Sequence, residues 1–142
     1  MSLFRLIYRS EDRLPPGSGH VEALAAIVEA AGHRNRHLGI SGVLVHRPGR
    51  FLQVLEGPAP SLEQVFEHIC RDPRHGAIAL MEFTPVDHAR FSDWTMVLSD
   101  ARGGQTGIDA IDLALNGIAS KGGSDTLIEA IQQALVPNSK AA

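Results

Sequence analysis

Three polar side chains stand where the surrounding sequence is apolar or strand-like: Tyr8 within LIYRS, Asn35 four residues ahead of GISG, and Gln53 within FLQVLEG. Burying such groups is costly unless something bonds to them. A phenol and two carboxamides, which both donate and accept, make a frame for the edge of a flat, hydrogen-bonding ligand. Spacing alone carries the argument to a possible ligand pocket and no further.

The elements that must position these groups follow from periodicity. Leu3 to Arg9 reads as a strand with Phe4, Leu6 and Tyr8 on one face and Leu3, Arg5 and Ile7 on the other. Ser10 to Gly19 reads as a loop. A helix is predicted from His20 to about His33, with Val21, Leu24, Ala25, Ile27, Val28 and Ala31 at helical spacing and Gly32 weakening its end. Asn35 then follows the helix and reaches the pocket from its rim. Leu38 to Val45 and Phe51 to Leu55 form a hairpin about Arg47-Pro48-Gly49-Arg50. A second helix, with Ser61 and Gln64 as a capping box, runs to about Arg71 and ends at Asp72-Pro73. Its stripe is Leu62, Val65, Phe66 and Ile69. Strands at Ala77 to Phe83 and Trp94 to Leu98 complete a β-α-β-β-α-β-β order.

The fold class is therefore α+β, a ferredoxin-like sheet with two helices on one face. If Tyr8 and Gln53 both face the helices, they meet in that interior layer. The other sheet face carries Leu3, Ile7, Leu52, Val54 and Val97 and needs cover. Two helices in the last forty residues offer it, one with Ile108, Ile111, Leu113, Leu115 and Ile118, the other, after Gly122-Gly123, with Leu127, Ile128, Ile131 and Leu135. The expected organisation is one domain over residues 1–100 and a helical extension over 101–142, joined at Arg102-Gly103-Gly104. Whether the extension folds onto its own sheet or a partner's is left open by the sequence.

Composition sets the outer bounds. The chain has 142 residues, 44% hydrophobic and 20% charged, which suits one globular domain with a single core. A formal net charge of -3 argues against a general nucleic-acid surface. No apolar run suits a membrane span, and MSLFRLIYRS lacks the form of a signal peptide. One cysteine, Cys70, allows no internal disulfide and fits the cytoplasm.

Each residue alone has an ordinary explanation. Tyr8 suits a core tyrosine, Asn35 a helix-ending residue, and Trp94 and Met96 packing residues. Arg34 and Arg36 suit a solvated loop pair, and Cys70 a packing thiol. His33 and His37 are four apart, but the helix pattern fails between them, and with no Asp, Glu or Cys at ligand spacing no metal is expected. GISGV lacks the pattern of a nucleophile elbow or phosphate loop.

Taken together, five ordered segments resemble the BLUF family, domains that sense blue light using FAD. LIYRS resembles its first strand, RNRHLGISGVLV its flavin-binding asparagine segment, FLQVLEG its glutamine strand, and DPRH and FSDWTM two further segments. The resemblance spans about Met1 to Asp100. It implies FAD between the two helices, with Asn35 on the pyrimidine end, Ile27 and Ile69 on either side, and Phe51 nearby. Asp72, Arg74 and His75 belong to the implied cofactor site, with Arg34 standing where the family often has a second asparagine. Gln53 is implied to bridge Tyr8 and the flavin. Tyr8 gives an electron and a proton on illumination, and back transfer leaves Gln53 rearranged. Trp94 and Met96, near Gln53, pass the change to the C-terminal helices.

The resemblance implies a sensor and no enzyme. Two other readings of the same outline remain: a colourless protein-interaction module and a small ferredoxin-like oxidoreductase. With no effector domain following in this sequence, the signal is expected to pass through a downstream protein or a homo-oligomer, without nucleic-acid or membrane partners.

Overall fold

The computed structural model describes residues 2–14, 19–98, 111, 114 and 124–135, with side chains at all of these except 21, 75, 95–98, 134 and 135. Among the described residues the elements are β1 (Leu3–Asp12), α1 (Gly19–His37), β2 (Ser41–Arg47), β3 (Arg50–Pro58), α2 (Ala59–Cys70), β4 (His75–Val86), β5 (Trp94–Leu98) and α3 (Ser124–Leu135). The strands form one five-stranded sheet in the order β4-β1-β3-β2-β5. Four of them run antiparallel to their neighbours, and β5 lies parallel to β2 at the edge. The predicted α+β order and the β2–β3 hairpin are both present.

The register decides the site. Tyr8 pairs with Gln53, and Gln53 with Leu44, so phenol and amide come from directly opposed positions of adjacent strands. Alternation then separates two cores. Leu6, Tyr8, Leu44, Phe51 and Leu55 pack with Leu24, Ile27 and Ala31 of α1 and Leu62, Val65 and Ile69 of α2. On the reverse face Ile7, Val43, Val45, Leu52 and Val54 pack with Phe91, Ile111, Ala114, Leu127, Ile128 and Ile131. The chain thus covers its own second face. Of the predicted helix around Ile111 only residues 111 and 114 are described; Arg102-Gly103-Gly104 and Gly122-Gly123 lie outside the described residues.

Four local expectations are corrected. First, α1 does not stop at His33 but continues to His37, ending at Gly39 in the left-handed region (φ 73). Arg34, Arg36 and His37 in its last turn suit the negative end of the helix dipole, and the Ile40 N–H closes onto the Asn35 carbonyl at 2.8 Å. Asn35 is therefore inside the helix rather than beyond it, and His33 and His37 share one helical surface. Second, α2 starts at Ala59 with Pro58 as its N-cap and no side-chain cap bond. Pro60 in the first turn gives up an N–H that has no helical partner anyway, so the Ser61–Gln64 box is not used. Third, β1 extends to Asp12, past the predicted loop start at Ser10. Fourth, Cys70, expected to pack, is exposed.

Candidate functional site

α1 and α2 flank a cleft whose floor is the β1–β3–β2 part of the sheet. Ile27, Ala30, Ala31 and Arg34 line it from α1, His68 and Ile69 from α2, Leu44 and Gln53 from the floor, and Asp72 and Arg74 from the turn after α2. The enclosed space is only about 20 Å³, room for a water molecule. Long polar side chains border it. Arg74 is one of these, 41% exposed and paired with the Asp72 carboxylate at 2.6 Å. That pairing raises the Arg74 pKa further.

Gln53 is the polar centre of the floor. It is 3% exposed. Its Nε2 donates to the Tyr8 hydroxyl at 2.6 Å, and its Oε1 accepts from Trp94 Nε1 at 3.3 Å. One amide thus joins a phenol on β1 to an indole on β5. Tyr8 is fully buried, and burial pushes its pKa well above the usual tyrosine value against the opposing pull of Gln53 and the Arg34 charge. The phenol is held protonated. Its ring also meets Phe66 of α2 at 5.8 Å between centroids.

Asn35 supplies the most telling contrast. It is completely buried, yet among the described residues neither its side-chain oxygen nor its nitrogen has a hydrogen-bond partner, and Arg34 Nε is likewise buried without one. A carboxamide in that condition costs about 1–3 kcal/mol. Burial also lowers the Arg34 pKa. Arg34 and Gln53 offer polar atoms in the cleft lining between the apolar side chains of Ile27 and Ile69, whereas Asn35, the next residue along α1, is not among the lining residues. Phe51 is fully buried on the helix side and packs against His46, outside the cleft lining itself. The side chains of His75 and Met96 lie outside those described; the Met96 backbone is in register with Leu44, and Leu44 with Gln53.

Residues 3–97 match the family model for BLUF, sensors of blue-light using FAD. The chain belongs to the BLUF family. Its fold overlays that of BlrB, a BLUF protein in its dark state, with a TM-score of 0.78 and 30% identity, covering 94% of this chain and 98% of that one. The blue light- and temperature-regulated antirepressor BluF of Escherichia coli is 34% identical over 102 residues, 70% of this chain and 24% of the relative. The photoactivated adenylate cyclase subunit beta of Euglena gracilis is 34% identical over 95 residues, 67% of this chain and 11% of the relative. The chain therefore spans a quarter or less of the length of these two curated relatives. The BLUF assignment makes this a flavin-binding, light-sensing fold.

Two clusters escaped the sequence reading. On the second face Glu56 is 1% exposed and accepts bonds from Arg5 Nε at 3.0 Å, from the Arg90 N–H at 2.6 Å and from the Phe91 N–H at 3.1 Å. Arg90 in turn reaches Gln132 of α3 at 3.1 Å, and Gln132 Nε2 donates back to the Arg90 carbonyl at 2.7 Å. Arg5 and Glu56 at core-facing strand positions were a visible signal of a buried pair. The second cluster, Asp12, His20 and His46, had no signal in linear spacing.

Proposed function

We propose that the chain is a blue-light photoreceptor that holds FAD between α1 and α2 and reports illumination through Gln53. The observation that carries this reading is the Gln53 amide in the cleft floor, bonded at once to Tyr8 and Trp94. The buried amide of Asn35 supports it, because it offers a donor and an acceptor that nothing among the described residues uses.

In this reading Asn35 holds the ring's polar end, with Arg34 beside it, Ile27 and Ile69 clasp its faces, and Phe51 buttresses the floor. Asp72, Arg74 and His75 line the entrance toward the ribityl-phosphate tail, whose anionic groups suit Arg74. Bound flavin supplies the blue absorption and an excited state able to take up an electron with a proton. Tyr8 is the donor of both at its hydroxyl and regains them. Its raised pKa keeps that proton in place in the dark. Gln53 is the element with two arrangements, since exchanging its amide ends reverses what it offers Tyr8 and Trp94. Trp94, and Met96 further along β5, carry the change toward the far sheet face and α3. The domain is a sensor, with residues 1–100 as its flavin unit and 101–142 as an output extension. Its signal passes in the cytoplasm to a downstream protein or through a homo-oligomer. No described helix is long and apolar enough to cross a membrane.

The test is optical. The purified protein is yellow, yields FAD rather than FMN on extraction, and shows a reversible red shift of its flavin band under blue light. Gln53→Leu and Tyr8→Phe retain flavin and lose that shift. A normal shift in either variant refutes the assigned roles, and a colourless protein that ignores added FAD refutes the reading as a whole.

A further inference from the structure

Three metal-ligating side chains from three elements converge roughly 13 Å along β1 from Tyr8. Asp12 closes β1, His20 opens α1, and His46 lies near the end of β2. His20 Nε2 and His46 Nε2 each stand 2.7 Å from the same oxygen, Asp12 Oδ2. All three donor atoms lie within 4.8 Å of one another.

The arrangement has the supports of a coordination site. Asp12 Oδ1 accepts the Leu14 N–H at 2.8 Å, which fixes the carboxylate with Oδ2 toward the histidines. The His46 ring is held between Phe51 and His20, at 5.0 and 5.3 Å between centroids. Asp12 and His46 side chains are 4% and 10% exposed, whereas His20 is 26% exposed and gives access from solvent. Both imidazoles turn Nε2 toward Asp12, and that nitrogen can ligate a metal once it carries no proton.

We propose that Asp12, His20 and His46 form a site for a divalent transition-metal ion of the zinc type, with water completing the coordination. Two imidazoles and one carboxylate suit such an ion better than magnesium or calcium, which prefer all-oxygen ligand sets. Ligand bonds of about 2.0–2.2 Å in a tetrahedral site put ligand atoms about 3.3 Å apart. Each 2.7 Å separation between Asp12 and a histidine nitrogen therefore opens by about 0.6 Å. Each imidazole ligates through its Nε2 lone pair, so any proton on Nε2 moves to Nδ1 or, from an imidazolium, to solvent. No redox step is involved. The ion would tie the start of α1 to β1 and β2, stiffening the helix that carries Ile27 and Asn35. This inference does not depend on the flavin reading.

The experiment is calorimetric titration of the chelator-treated full chain with zinc chloride, with thermal unfolding at each zinc level. The expected result is one zinc ion per chain at micromolar affinity or better, and a thermal midpoint that rises with zinc concentration. His20→Gln and Asp12→Asn, each checked by circular dichroism, should weaken binding at least about tenfold. His33→Gln controls for the exposed His33–His37 pair on α1 and should change nothing. Absence of binding up to millimolar zinc overturns the proposal. So does binding that survives both His20→Gln and Asp12→Asn, or that His33→Gln removes.

Discussion

Gly32 of α1 and Trp94 of β5 pack so closely that a methyl group on the glycine would lie 3.5 Å from the indole. The same indole donates to Gln53. Helix α1, edge strand β5 and the Gln53 amide thereby meet at one side chain, and the glycine lies inside the helix at a cost of about 1 kcal/mol relative to alanine.

Gly32→Ala should be tolerated, because 3.5 Å to Trp94 is ordinary contact and the 3.3 Å neighbour is the mobile end of Arg36. Stability should rise by up to about 1 kcal/mol from helix propensity. Gly32→Leu should instead drive the indole off Gln53. Trp94 is the only tryptophan, so its fluorescence reports the change directly. An emission spectrum identical to that of the parent in Gly32→Leu would contradict the packing.

Tyr8 is likewise the only tyrosine, so tyrosinate absorption reports one group. Burial raises its folded pKa above the unfolded value. The neutral phenol is thus favoured by folding, and its stabilising share is intact below about pH 10 and lost as pH climbs beyond it. Native protein should show no tyrosinate at about pH 10, where urea-unfolded protein is half ionised. The light-induced shift should be flat across the same range below it. A native titration midpoint near 10 would mean a solvated phenol.

Much of this was legible in the chain itself. Alternation at Phe4, Leu6 and Tyr8 and at Phe51, Gln53 and Leu55 located the faces of β1 and β3, since a strand's period of two leaves no other arrangement once one face is buried. What periodicity could not supply was where α1 ends. Gly32 reads as a breaker on its low helix propensity, although α1 continues through it to His37, and this displaces Asn35 from helix to loop. The capping box failed for a similar reason: Ser61 and Gln64 fit a local pattern, but Pro58 and Pro60 had already set the start of α2. Asp12, His20 and His46 were invisible because three elements must be assembled before they meet.

Asn35→Ala should separate the empty and loaded proteins. Without flavin, removing a buried, partnerless amide relieves a penalty of about 1–3 kcal/mol, partly offset by the small void left behind. The apoprotein should be no less stable than the parent in urea. Flavin affinity should fall by at least about tenfold, the equivalent of one lost hydrogen bond of about 1.4 kcal/mol. Should the apoprotein lose several kcal/mol instead, Asn35 has an internal partner and is structural.

Glu56→Gln should be the most damaging conservative change on the second face. The carboxylate is buried with Arg5 at 3.0 Å, and the next acid, Glu82, is 3.9 Å from the same guanidinium. Removing its charge leaves Arg5, 7% exposed, poorly compensated, at a cost of about 3–5 kcal/mol. Gln132→Ala, which loses the two bonds between Arg90 and Gln132 but keeps Arg90 beside Asp125 at 3.4 Å, should cost about 1 kcal/mol. Because Arg90 belongs to both sets of bonds, the two losses should not add, and a double-mutant cycle in urea should give a coupling of about 0.5 kcal/mol or more. Strict additivity would mean that Glu56 and α3 act independently, and that a change at β3 does not reach the C-terminal helix through this loop.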